Sequence, residues 1–148
     1  GAGGAAKAAA LALAQAGCRV TVCARTPEKA AALAARCGGV TVSWEDLPRA
    51  AAEHGLLLNA TPLGMEGSPE FESLDFVQAL PTKAVVYDLV YHPTDTALLR
   101  AAGSRELTAV GGLALLVQQA ALAFAHFTGI VPDAALCRNI LQELEAAQ

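Results

Sequence analysis

Apolar positions along this chain follow two alternating rhythms. Gly4 to Ala16 is a run of alanine and leucine interrupted by Lys7 and Gln15, and it predicts a helix that Gly17 ends. Cys18 to Cys23 is short and β-branched at Val20, Thr21 and Val22, which predicts a strand. Thr26-Pro27-Glu28 then reads as a helix start: a hydroxyl at the cap, proline in the first turn, and an acid beside the positive end of the dipole. That helix should run to Cys37 and stop at Gly38-Gly39. Val40 to Ser43 predicts a second strand, and Trp44 to Glu53 a helix that Pro48 either limits or joins in its first turn.

The rhythm continues in the second half. Leu56 to Ala60 and Ala84 to Val90 are apolar strands, the latter broken only by Asp88. Between them, Gly67 to Pro81 reads as loop with one short helical piece. Thr94 to Ala102 predicts a helix and Leu107 to Val110 a strand. Leu113 to Thr128 predicts a long helix, and Asp133 opens and caps a last one. Helices alternating with short, nearly all-apolar strands predict an α/β fold: a doubly wound, Rossmann-like parallel sheet with helices on both faces. The chain opens on a glycine-rich turn, and in such a fold a central strand feeds that turn. The expectation is therefore that this first strand is missing and that the sequence is the C-terminal part of a longer chain.

Composition narrows the function. At 148 residues the chain suits one domain with a real core, and 54% apolar against 16% charged residues excludes a disordered chain. The net charge is −4, and Lys and Arg are scattered, so no basic stripe offers itself to nucleic acid or to an anionic membrane. No apolar run reaches the roughly 18 residues needed to span a bilayer. Cys18, Cys23, Cys37 and Cys137 form no Cys-x-x-Cys pair, which argues against a zinc ribbon or redox motif, and reduced thiols imply a cytoplasmic protein. His54 and His126 lack partners at metal-ligand spacing, so no metal site is expected.

The candidate chemistry lies at the predicted strand ends. Gly1-Ala2-Gly3-Gly4-Ala5-Ala6 fits G-x-G-x-x-[G/A]. One glycine permits the tight turn, a second lets the backbone approach a pyrophosphate, and the helix N-terminus offers free N–H groups to the anion. At the end of the next strand, NAD-binding folds place an acid on the ribose 2′-hydroxyl. Here Arg25 and Lys29 are cations, with Thr26 between them. A guanidinium suits a 2′-phosphate, so the pattern favours NADP over NAD. The plainer alternative makes Thr26 a cap and the two cations solvated surface charges.

Asn59-Ala60-Thr61-Pro62-Leu63-Gly64-Met65 follows an apolar strand, where ligands of parallel sheets sit, although by spacing alone an ordinary Thr-Pro turn is the simpler reading. Tyr91 follows the next strand and can point a phenol into the crevice, while His92 before Pro93 reads as a turn residue. Gly111-Gly112 precedes the long helix, whose Gln118 and Gln119 interrupt an apolar face. The two glycines permit close approach of a flat ring, and one of the two amides is expected to face the crevice and the other solvent.

Together GAGGAA, the ART-PEKA stretch, NATPLGM, YDLVYHP and GGLALLVQQAALAF with its closing FTG resemble the shikimate dehydrogenase family, in that family's order and spacing across nearly the whole chain. The resemblance implies the C-terminal, NADP-binding half of an enzyme that transfers a hydride reversibly between shikimate and 3-dehydroshikimate in aromatic amino-acid biosynthesis. It implies that Gly1, Ala2, Gly3, Gly4 and Ala5 cradle the pyrophosphate and that Arg25, Thr26 and Lys29 hold the 2′-phosphate. It further implies that Thr61, Leu89 and Gly112 line the path from adenosine to nicotinamide, and that Tyr91 and Gln119 reach the substrate. The family's catalytic Lys and Asp lie in an N-terminal domain and match nothing here; Lys7 is not that lysine. Residues 1–148 would then be one NADP-binding domain, with the helices of Leu113–Gln148 packing back toward the absent domain. The partner is a small molecule, and any self-association is expected to be a homodimer. Ala24 stands where the family usually has Asn, removing a contact near the ribose, and Leu115 stands for a frequent Met, a volume-conserving change. Two alternatives remain: an enzyme that also uses quinate, and a dinucleotide-sensing module that keeps the fold without the chemistry.

Overall fold

A computed structural model describes residues 1–147. Its helices follow the local signals closely. α1 spans Gly4–Gln15, and Gly17 turns the chain with φ +82°. α2 spans Pro27–Cys37 and ends where Gly38 enters the left-handed region at φ +63°. α3 is only Leu47–Ala51, because Ser43 and Asp46 first form a turn of their own, each hydrogen-bonding the other across 3.0–3.1 Å. α4 (Asp75–Ala79) is the expected short piece, and α5 covers Ala97–Gly103. α6 covers Leu113–Thr128 and α7 Ala134–Ala146, with the Asp133 carboxylate accepting from the Leu136 N–H at 2.7 Å.

The strands are shorter than the apolar runs that encode them. β1 is Thr21–Val22, β2 Val40–Thr41, β3 Leu56–Asn59, β4 Val85–Asp88 and β5 Thr108–Val110. A run becomes a strand only where a neighbour pairs with it. All pairings are parallel, as the α/β pattern requires. In place of one continuous sheet there are two, β1-β2 and β3-β4-β5. One apolar cluster joins Ala6 and Ala10 of α1 to Val22, Ala30 and Leu33, and a second gathers Phe76, Val77, Val86, Leu98 and Leu107.

Between the sheets lies a largely apolar cavity of about 470 Å³, lined by Leu13, Val22, Leu33, Leu57 and Phe76 among others. β1 uses one edge for β2, and β3 uses one edge for β4. Their opposite edges have no strand partner among the described residues.

Candidate functional site at the carboxyl ends of the strands

The glycine turn sits against the C-terminal ends of β1 and β3. The Gly1 nitrogen donates to the Cys23 carbonyl at 2.6 Å. A Cβ at Gly1 would lie 2.7 Å from the Ala60 oxygen and 3.1 Å from Cγ2 of Thr61, so only glycine fits between these two strand ends. Gly3 and Gly4 face open space instead. Gly3 caps α1 without any side-chain hydrogen bond, which leaves the first N–H groups of the helix available to an anion. Ala5 is exposed and Ala6 is buried in the helix packing.

Arg25 and Lys29 are exposed, and neither has a salt-bridge partner among the described residues. Thr26 occupies the cap position of α2, but its side chain makes no capping hydrogen bond. The expected cap is therefore absent, and helix propensity with Pro27 in the first turn suffices to start α2. Burial pushes the Cys23 thiol up from its ordinary value, so it stays protonated at neutral pH.

The row continues across the second sheet. The Leu89 N–H donates to the Asn59 carbonyl at 3.0 Å, and the Gly112 N–H donates to the Val90 carbonyl at 3.1 Å. A Cβ at Gly112 would come within 2.3 Å of the Leu89 oxygen and 2.7 Å of the Val90 oxygen. The chain's own backbone therefore already requires glycine at 112, whatever ligand approaches it. Backbone contacts thus step from Gly1 to Cys23 and Ala60, from Asn59 to Leu89, and from Leu89 and Val90 to Gly112, with Thr61 beside Gly1 and with Arg25 and Thr26 just beyond Cys23.

The polar candidates are set further out. Tyr91 is exposed two residues beyond Leu89. Gln118 and Gln119 are both exposed on α6, so the expected division into a crevice amide and a solvent amide is not seen within this chain. His92 is a turn residue, as expected, and its imidazole pairs with the Glu66 carboxylate on the neighbouring loop.

Asp88 and Thr96 escaped the sequence reading as site residues, and Asn59 entered it only as the first residue of the candidate Thr-Pro turn. All three are buried, and they hydrogen-bond one another beneath the row. The signal was present in outline, since a lone acid in an apolar strand must find donors.

Comparison with known proteins supplies the decisive context. Residues 1–66 match the family model for shikimate / quinate 5-dehydrogenase, and residues 112–142 match that for the shikimate 5'-dehydrogenase C-terminal domain. The chain belongs to the shikimate dehydrogenase family. It is 48% identical over 146 residues to the NADP(+) shikimate dehydrogenase of Acidiphilium cryptum, covering 97% of this chain and 52% of that protein. Shikimate 5-dehydrogenase from Thermus thermophilus, solved in complex with NADP(H) and shikimate, superposes with a TM-score of 0.80 at 39% identity, over 97% of this chain and 53% of that one. Quinate dehydrogenase from Corynebacterium glutamicum, solved in complex with NAD, gives 0.84 at 32% identity, over 97% and 53% respectively. The chain spans about half the length of the curated relatives it matches. The fold is accordingly Rossmann-like α/β, with parallel sheets and covering helices. No helix among the described residues is long and apolar enough to cross a membrane.

Proposed function

We propose that this chain is the NADP-binding part of a shikimate dehydrogenase that interconverts shikimate and 3-dehydroshikimate. The observation that carries the reading is the row of backbone contacts that steps from the glycine turn to Gly112, with two cations beyond its β1 end, Arg25 and Lys29, that have no salt-bridge partner among the described residues. The residues fit the cofactor. Gly1 to Ala5 and the uncapped N-terminus of α1 receive the pyrophosphate. Arg25 and Lys29, with the unengaged Thr26 hydroxyl, receive the 2′-phosphate. Thr61, Leu89 and Gly112 guide the nicotinamide end, largely through backbone atoms. The bound cofactor supplies the hydride, and the protein orients it against the substrate.

Tyr91 and Gln119 face outward in this chain, and in the proposed reading they face the substrate. The exposed apolar residues of the last two helices and their connection (Leu122, Phe127, Ile130 and Val131) form the surface on which an N-terminal substrate domain packs. The expected boundary of that surface at Gln148 lies outside the described residues. The same reading fills the cavity between β1 and β3 with a parallel strand leading into Gly1, because strands about 4.8 Å apart are what both unpartnered edges can accept. The proposed setting is the cytoplasm, in keeping with four free cysteines, and any self-association is a homodimer.

The test is turnover by the full-length protein with shikimate or quinate and NADP or NAD. We expect the shikimate–NADP pair to be fastest. Preference for quinate with NAD would favour the related quinate activity, and no turnover with any pair would favour a dinucleotide sensor. Gln119→Ala should raise the Michaelis constant for shikimate by roughly tenfold, the loss expected for one hydrogen bond, and leave NADP affinity nearly unchanged. An unchanged constant removes Gln119 from the substrate contacts.

A further inference from the structure

We propose that Asp88 is a positioning residue that, through Asn59 and Thr96, locks the β3 and β4 loops into the pose the cofactor site needs. The inference rests on the dehydrogenase reading above and assigns a role to the buried cluster beneath it.

Asn59 and Asp88 stand opposite each other in register at the C-terminal ends of β3 and β4. Asp88 is fully buried, and no cation pairs with it among the described residues. Its two side-chain oxygens instead accept from neutral donors. Oδ1 accepts from the Asn59 side-chain amide at 2.9 Å and from the Val90 N–H at 3.0 Å, and Oδ2 accepts from the Thr96 hydroxyl at 2.7 Å. Asn59 passes the constraint on. Its Nδ2 also donates to the Leu63 carbonyl at 3.2 Å, and its Oδ1 accepts the Thr61 N–H at 3.0 Å and the Thr61 hydroxyl at 2.6 Å. On the other side the Thr96 hydroxyl accepts from the Leu99 N–H at 3.2 Å and starts α5. One carboxylate thereby fixes the turn that carries Thr61, the backbone at Leu89–Val90 on which Gly112 rests, and the far end of the loop that carries Tyr91.

Such a network tolerates little change, because every buried polar atom in it already has a partner. Asparagine at position 88 keeps the shape but reverses one contact. With its amide toward Thr96, that hydroxyl already accepts from Leu99 and its own proton loses its acceptor. Flipped, the amide meets the Asn59 amide and the Val90 N–H, donor against donor.

The experiment compares full-length wild type with Asp88→Asn, Thr96→Val and Thr96→Ser by steady-state kinetics and, without cofactor, by amide hydrogen exchange. In Asp88→Asn we expect kcat to fall about 10- to 100-fold, the effect of a small misplacement at a reacting centre. Affinity for 2′,5′-ADP, which in this reading reaches the glycine turn and Arg25 but neither Leu89 nor Gly112, should stay within about twofold. Exchange at Thr61, Leu63 and Val90 should quicken at least roughly tenfold while amides of α2 keep their protection. Thr96→Val should move both readouts in the same direction and Thr96→Ser should restore them; this pair carries the test if Asp88→Asn does not fold. The pH–rate profile should keep its shape. Wild-type kcat in the folded variants, loosening spread equally over α2, or loss of one limb of the pH profile would overturn the inference. Absence of wild-type turnover would overturn the dehydrogenase reading instead, while the exchange pattern would still decide whether Asp88 locks the two loops.

Discussion

Gly112→Ala is expected to lower the melting temperature of the full-length protein by roughly 6–12 °C and to reduce kcat/KM for shikimate by about 100-fold. The new methyl would sit 2.3 Å from the Leu89 carbonyl oxygen and 2.6 Å from its carbon. Both are backbone atoms of a segment held by Asn59 on one side and by Asp88 on the other, so neither can swing aside as a side-chain tip would. Overpacking of this kind costs about 3 kcal/mol, a large part of a typical stability margin. The kinetic loss follows from the same displacement, since Leu89 and Gly112 are the proposed guides for the nicotinamide. Gly111 supplies the control. Its Cβ would meet only the Leu99 side chain at 3.6 Å and the Thr94 carbonyl oxygen at 3.9 Å, both ordinary contacts. Gly111→Ala should therefore melt within about 2 °C of wild type. Equal behaviour of the two variants, by calorimetry and by initial rates, would show that the close approach at Gly112 is not a constraint.

Arg25→Ala should weaken NADP binding by roughly tenfold and NAD binding by less than about twofold. Only NADP carries the 2′-phosphate, and a guanidinium can grip that group through two parallel bonds. Arg25 is exposed, which places the expected loss near the lower end for a charge-assisted contact. Lys29→Ala should cost less, because an ammonium acts as a point charge with no fixed fork. Raising the salt concentration should shrink the NADP advantage of the wild type more than that of Arg25→Ala. Titration calorimetry with both cofactors checks these values, and equal losses for NADP and NAD would reject the assignment of Arg25.

The helices were legible because their signals are local. Thr-Pro-Glu and Gly38 bracket α2 at the bounds observed, and Asp133 caps α7 with its own carboxylate. Strand ends were less legible because they depend on partners far away in sequence. Cys18 to Val20 has the composition of a strand, yet regular pairing begins only at Thr21, where Val40 lies alongside. The split into two sheets was equally hidden, since each apolar run reads the same whether one of its edges is paired or open.

Of the proposed site, the glycine turn and the two cations were visible as candidates, because each carries its chemistry in its own residue type. The reason for Gly112 was not, since it depends on the carbonyl of Leu89, far back along the chain. Asn59 and Asp88 likewise looked like isolated polar residues until the register of β3 on β4 set them side by side.

The proposed function turns on a phosphate-reading corner at the end of β1. That corner is probed by the dissociation constants of NADP and NAD for the wild-type full-length protein, measured side by side by titration calorimetry at low salt. NADP should bind at least about tenfold more tightly, the contribution of one charge-assisted phosphate contact. Equal affinities, or tighter binding of NAD, would mean that Arg25 and Lys29 do not read a phosphate.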